Sequence, residues 1–229
     1  MPLGRPYPPG TLPIEAAGEH LWLLPERAVY WPRLHMLLVA DAHLGKAAAF
    51  RNEGVAVPMG TTEENFLQLT ELIATLGAMR VVFLGDMLHN TVALTAIGGA
   101  FTRWRKLHAS LEITLVRGNH DKRAGDPPDE WRVQCVTEPL TIDGIALCHM
   151  PQPVPGHYSI AGHLHPAAKL AGRGRELVRL PCFYFAPDYA ILPAFGPFTG
   201  MADVEPHEED RVYVIADAEV IDVSSRRGQ

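Results

Sequence analysis

Five short polar motifs stand in order along the chain: Asp41-Ala-His43, Gly85-Asp86-Met-Leu-His89, Gly118-Asn-His-Asp121, Cys148-His149 and Gly162-His-Leu-His165. Each ends an apolar run or begins the loop after one. His35–His43 is apolar up to Asp41, Val81–Leu84 closes at Gly85-Asp86, and Ile113–Val116 runs into Arg117-Gly-Asn-His-Asp121. Continuous apolar runs of this length predict strands buried on both faces. Thr61-Thr-Glu-Glu64 predicts a capping box opening a helix with Phe66, Leu69, Leu72, Ile73 and Leu76 as its stripe, ended by Gly77. A second helix is expected from about Thr95 to His108, and residues 44–60, without periodicity, as a loop. The first half therefore reads β-loop-α-β-α-β, with polar motifs at the carboxyl ends of the strands, where open α/β sheets bind ligands.

The second half changes character. Short strands are expected at Trp131–Val136, Ile145–His149, Tyr158–Ala161, Leu177–Leu180, Ala190–Leu192, Val212–Ile215 and Val220–Val223, as a mixed sheet or a two-sheet sandwich. Upstream, His20–Leu24 and Ala28–Trp31 read as strands joined by the turn Pro25-Glu26-Arg27. Residues 1–18, rich in Pro and Gly, read as an extended arm, and 19–229 as one domain.

The motifs offer carboxylate, imidazole and amide donors. Asp-x-His and His-x-His would put two ligands on one side of an extended segment, because strand side chains repeat every two residues. Oxygen and imidazole donors without thiolate suit Mn, Fe or Zn in a reactive site better than a structural zinc site. A carboxylate shared by two ions would hold them about 3.5–4 Å apart, the spacing that serves phosphate ester hydrolysis. Cys135, Cys148 and Cys182 are an odd, widely spaced set, expected as small core residues in a reducing cytoplasm. Cys148 should point away from the site that His149 faces.

Lys+Arg 20 against Asp+Glu 26 gives a net charge of −6, so no global basic field exists for a polyanion. Lys46, Arg51, Lys122, Arg123, Arg173 and Arg175 are the basic residues nearest the motifs. Lys46 and Arg51, in the segment after the first motif, are the preferred pair for phosphates flanking a scissile one. The acidic stretch Asp203–Asp210 is expected as a solvated loop. No 18-residue apolar run predicts a membrane span, and the N-terminus has no apolar core of a secretory signal.

The ordered set DxH, GDxxx, GNHD, H and GHxH resembles the calcineurin-like metallophosphoesterases over residues 41 to 165. The resemblance implies an α/β (α+β) fold, a four-layer αββα sandwich with two mixed sheets and a dinuclear centre. It implies that Asp41, His43 and His165 hold one divalent ion and Asn119, His149 and His163 the other, bridged by Asp86. The ions would be Mn2+, with Zn2+ or Fe2+ as alternatives. His120 would face the phosphate and assist the leaving oxygen. His89, three residues after Asp86, is similar to the pattern of DNA-repair nucleases of the SbcD type, and there it would support His120; a plain loop role is the alternative.

Asp41-Ala-His-Leu-Gly-Lys46, then Phe50-Arg51, Gly54, Val57-Pro58 and the later Ile191-Leu-Pro-Ala-Phe-Gly-Pro-Phe-Thr-Gly200, resemble more narrowly the ligase-associated DNA damage response endonuclease (PdeM) family. That resemblance implies DNA as substrate, endonucleolytic cleavage, and a ligase, a helicase and a nuclease as repair partners. A small-molecule phosphoesterase acting on a nucleotide or nucleotide-lipid is the enzymatic alternative, and a metal-bound repair scaffold the non-enzymatic one. No capping domain is evident to form a DNA groove, so an oligomer or a partner would supply it.

Overall fold

The computed structural model describes residues 7–57, 61–171, 177–196 and 199–224. Arg173, Arg175, Pro58 and the Pro197-Phe198 step lie outside them. Seven strands form the first sheet in sequence order: β1 (Leu12–Ala16), β2 (Glu19–Leu24), β3 (Ala28–Trp31), β4 (Met36–Val39), β5 (Arg80–Leu84), β6 (Glu112–Val116) and β7 (Val133–Val136). The first four are an antiparallel meander; β4 to β7 are parallel. Parallel neighbours need crossovers. Helices α1 (Lys46–Asn52) and α2 (Thr61–Leu76) lie between β4 and β5, α3 (Thr91–Leu107) between β5 and β6, and α4 (Asn119–Ala124) between β6 and β7.

The second sheet contains β8 (Leu140–Ile142), β9 (Ile145–Leu147), β10 (Tyr158–Ala161), β11 (Pro166–Ala171), β12 (Leu177–Phe185), β13 (Tyr189–Ile191), β14 (Ala202–Asp203), β15 (Arg211–Ala216) and β16 (Glu219–Asp222). It is mixed: β9, β10 and β13 run parallel, while β12 pairs antiparallel with β11, β13 and β15.

Strand alternation sorts the core into layers. Leu37, Val39, Val81, Phe83, Ile113 and Leu115 face the helices, against Phe66, Leu69 and Ile73 of α2 and Ile97, Phe101 and Trp104 of α3. Leu38, Val82, Leu84 and Val116 face the other way, into Ile145, Leu147, Ile160, Phe183, Phe185 and Leu192 of the second sheet. The apolar runs are thus buried on both faces, between helices and a second sheet, as expected. The outer face of the second sheet differs from the helical layer expected there. Cys182, Tyr184, Ile191, Val212 and Val214 cluster with Ala168, and among the described residues no helix contributes. The cover comes from β11 and the first half of β12, which pair beyond the point where β12 leaves β13 and β15.

Other local differences have plain causes. Within the expected arm, Leu12–Ala16 pairs with β2 as the sheet's edge strand. The expected loop 44–60 contains α1, whose Ala47, Ala48 and Ala49 carry high helix propensity over too short a span to show a stripe. Helix α3 starts at Thr91 because the Asn90 side chain accepts from the Ala93 N–H at 2.8 Å. The acidic stretch is not simply solvated: Asp203 pairs with Lys169 and Arg179, and buried Asp210 accepts from the Tyr184 hydroxyl at 2.6 Å.

Candidate metal centre

The motifs meet where the two sheets' parallel strands end. Beyond β4 and β5 the two chains stay side by side: the N–H groups of Asp41, His43 and Leu44 donate to the carbonyls of Gly85, Asp86 and Met87 at 3.3, 2.9 and 2.8 Å. Gly162-His-Leu-His165 follows β10 in the facing sheet, and the His163 N–H donates to Asp41 Oδ2 at 2.7 Å.

The expected reason for the pairing of ligand types is corrected here. Asp41, His43, Asp86, His163 and His165 lie beyond their strands and adopt φ of 50, 42, 48, 70 and 49°. The side chains converge through left-handed turns, not through strand alternation. Such conformations cost a non-glycine residue of order 1–3 kcal/mol and persist where the surroundings impose them, most often at functional sites. Glycine is needed at close approaches. A Cβ on Gly118 would stand 2.2 Å from Asp86 Oδ1, and one on Gly162 2.4 Å from Asp41 Oδ2.

Two groups of donors result. Asp41, His43 and His165 lie together, with His165 Nε2 3.6 Å from Asp41 Oδ1. Asp86, His149 and His163 form the second group, with His149 Nε2 3.6 Å from Asp86 Oδ1, and Asn119 Oδ1 is 2.9 Å from the same His149 nitrogen. All seven residues read from the motifs as candidate ligands are therefore gathered. Their geometry fits cations. Asp41 Oδ1 and His43 Nδ1 are buried without a hydrogen-bond partner, and His163 Nδ1 faces His149 Nε2 at 3.0 Å. Buried polar atoms are nearly always paired, so this crowding of acceptors leaves room for positive charge.

Backbone carbonyls orient the rings. His149 Nδ1–H donates to Leu84 O at 3.2 Å and His165 Nδ1–H to Gly200 O at 2.9 Å, turning both Nε2 atoms inward. Glu138, which no sequence motif marks, fixes the Cys148-His149 turn: its Oε2 accepts from the N–H groups of His149 and Met150 at 2.8 and 2.9 Å. Cys148 packs away from the centre with Ala146 and Ala161, as expected. Burial pushes the His43 imidazole down to about 2, with Lys46 adding to the effect, and lowers His163. Burial also pulls His165 down, but the Asp41 carboxylate outweighs it and the net shift is upward. Burial raises Asp86, against the opposing pull of His149.

A third group, His43, His89 and His120, lies on the more open side. The His120 N–H donates to Asp86 Oδ1 at 2.9 Å, and its Nδ1–H donates to the His89 carbonyl at 2.9 Å. The His89 and His120 rings stack at 5.0 Å. Contact between the two residues exists, but the hydrogen bond uses the main chain of His89. Asp121 braces the loop by accepting from the N–H groups of Leu88 and Gly118 at 3.1 and 2.9 Å. Lys46 begins α1 with its Nζ over the Phe50 ring at 5.7 Å, half-buried near Asp86 and Asp41. Arg51 lies in the last turn of α1, while Lys122 and Arg123 are exposed on α4. A larger cavity of about 750 Å³, among Gly18, Pro155, His157, Asp188 and Arg211, holds none of the motif residues. It adjoins Tyr158, where β10 starts, at the far end of that strand from His163.

No protein-family model matches the chain, and no curated protein does. Among solved structures, the crystal structure of Pseudomonas putida nuclease MPE matches with a TM-score of 0.82 and 41% identity over 93% of this chain and 100% of that one. A phosphoesterase from E. coli, Yfce, matches at a TM-score of 0.38 and 11% identity over 82% of this chain and 98% of its own, too low a likeness to inform the site. Fold and centre together define a metallophosphoesterase, a hydrolase of phosphoric ester bonds. Within that superfamily the chain belongs to the family of the Pseudomonas putida nuclease.

Proposed function

We propose that this protein is a Mn2+-dependent phosphodiesterase with two metal positions, and that it cuts DNA internally. Asp41, His43 and His165 would hold one ion, Asn119, His149 and His163 the other, and Asp86 would lie between. The observation that carries the reading is the buried, partnerless Asp41 Oδ1 with His165 Nε2 3.6 Å away, in a family with a nuclease 41% identical. When bound, two cations supply Lewis acidity to the phosphoryl oxygens and activate the attacking water.

The protein's own groups do the rest. Asp86 accepts from the His120 main-chain N–H, which ties the carboxylate to the loop that carries the imidazole. His120 spends Nδ1–H on the His89 carbonyl, which leaves Nε2 as the nitrogen that carries a proton to the leaving oxygen. Lys46 and Arg51 meet flanking phosphates from the α1 side. The motif resemblance extends this reading to DNA repair, with a ligase, a helicase and a nuclease as partners, in the cytoplasm. Among the described residues no helix is long and apolar enough to cross a membrane.

Nicking of supercoiled plasmid by Mn2+-reconstituted protein tests the reading, with His120→Ala beside it. Nicking by the wild type alone supports it. Turnover of bis(p-nitrophenyl) phosphate without nicking replaces DNA by a small phosphoester. No turnover of either leaves the metal-bound scaffold.

A further inference from the structure

Strand pairing brings one cation to the centre that no motif contains. Arg27 ends the turn before β3. Because β3 is antiparallel to β4 with Ala28 opposite Val39, Arg27 lies opposite the point where β4 leaves the sheet for Asp41. A cleft of about 250 Å³ opens there, lined by Arg27, His165, Pro193, Ala194, Thr199 and Met201. His165 belongs at once to the donor group around Asp41 and to this cleft, so the two spaces adjoin.

Arg27 stands apart among the described residues by combining part burial with the lack of a partner: Arg103, Arg123 and Arg132, for which no side-chain bond is seen either, are exposed. Arg33, Arg80, Arg117 and Arg179 each pair with a carboxylate, and Arg105 donates to the carbonyls of Trp131 and Leu111. Among the described residues, Arg27 has no such side-chain hydrogen bond or ion pair. It is half-buried, and burial alone lowers its pKa, with no carboxylate opposing. The neighbouring Glu26 does not serve it: that carboxyl is raised by burial and by Glu71. Leaving a charged group part-buried and unpaired is costly. A planar fork of donors with no acceptor suits a phosphate, which it can grip with two parallel hydrogen bonds. Pro166, Pro181, Pro193, Ala194 and Met201 around it offer apolar walls for a sugar or base beside that phosphate.

We propose that the Arg27 cleft is a subsite for a second phosphate of the substrate, the diester neighbouring the scissile one on the His165 side. This rests on the phosphodiesterase reading above. It makes the enzyme selective for a diester within a chain over an isolated one. Lys46 and Arg51 approach from α1, so Arg27 adds a contact of its own from the first sheet's meander.

The test uses the full chain with Arg27→Ala, Arg27→Lys and, should Arg27→Ala fail to fold, Arg27→Gln. A labelled oligothymidylate is titrated by anisotropy at several salt concentrations without added metal, so nothing is cut. Removing one phosphate contact should weaken binding roughly tenfold and lower the slope of log K against log salt by about 0.7, the single-strand value per phosphate. Arg27→Lys should keep the slope. With Mn2+, the wild type should cleave a thymidine trinucleotide with higher kcat/KM than the dinucleotide, and Arg27→Ala should erase that preference. Wild-type affinity, slope and preference in Arg27→Ala would overturn the subsite. Wild-type turnover of bis(p-nitrophenyl) phosphate with no oligonucleotide binding would overturn the subsite and leave the phosphoesterase standing. No turnover of any diester by the wild type would overturn both.

Discussion

The His163 N–H donates to Asp41 Oδ2 at 2.7 Å, while Asp41 Oδ1 is buried with no hydrogen-bond partner. One oxygen ties the loop after β10 to the end of β4. The other faces His165 Nε2 at 3.6 Å. The cost of burying a carboxylate is several kcal/mol, and one N–H and the His165 imidazole at 3.6 Å offset only part of it, so without metal this group opposes folding. Asp41→Asn keeps an acceptor for the His163 N–H and removes the charge. The metal-free variant should melt a few degrees above the wild type, since 1 kcal/mol is worth about 2–4 °C at this chain length. It should also lose most of the stabilisation that Mn2+ gives by binding the folded state. Calorimetry with and without Mn2+ reads both effects. A lower metal-free Tm, or an undiminished gain with Mn2+, would refute the split role of the carboxylate.

Gly118 and Gly98 should respond in opposite directions to alanine. A Cβ on Gly118 would sit 2.2 Å from Asp86 Oδ1, so Asp86 or the loop must move. Gly118→Ala should cost about 1–3 kcal/mol as overpacking and weaken metal binding through displaced Asp86. Gly98, inside α3, has nothing within 4 Å of its would-be Cβ. Gly98→Ala should stabilise by up to about 1 kcal/mol, the helix-propensity difference. Urea melts measure both, and Mn2+ titration by calorimetry separates them further, because only Gly118→Ala should lose affinity.

What could be read in advance follows from how far each signal extends. The strands before Asp41, Asp86 and Asn119 are legible because burial on both faces leaves unbroken apolar runs. The donors are legible because their chemistry is written in residue type. The turn conformations are not: left-handed φ at Asp41, His43, Asp86, His163 and His165 has no glycine to announce it. Helix α1 is shorter than two full turns of apolar pattern, and β1 is masked by the prolines around and within it. Glu138 reaches His149 through the register of the β8–β9 hairpin, and Arg27 meets His165 only when the two sheets come together, and neither motif spacing nor periodicity encodes these meetings.

His89 and His120 should not be equivalent. The bond from His120 Nδ1–H goes to the main-chain carbonyl of His89, which alanine retains; only the stacked ring at 5.0 Å is lost. On the proposed mechanism His120→Ala removes the proton donor itself, an effect of about 10²–10⁴ in rate. His89→Ala should therefore lower kcat by less than about tenfold, a loss smaller than that lower bound, with KM little changed. Steady-state kinetics on bis(p-nitrophenyl) phosphate with Mn2+ compares them. Equal losses in the two variants would mean that the His89 ring itself takes part in the proton transfer.

Acid should destabilise the metal-free protein well before its carboxylates titrate. Burial, followed by the charge of Lys46, pushes His43 down to about 2 and His89 down to about 4. An unfolded histidine titrates near 6.5. Between those values the unfolded chain holds more protons than the folded one, so stability rises with pH through that window. It is complete above about pH 6.5 and is lost as pH falls toward 4 and then 2. His163 is lowered by burial and acts in the same sense, while His165, raised by Asp41, opposes it. Asp86 and Asp121, both raised by burial, favour the folded state only where their carboxyls begin to protonate, at the acid end. His108, also lowered by burial, makes four imidazoles against one, so Tm of the metal-free chain should fall by several degrees between pH 7.5 and 5.0. Mn2+ should steepen the fall, because protons and metal compete for the same imidazoles. A Tm that stays level or rises over that range would mean that these rings are not held neutral by the fold.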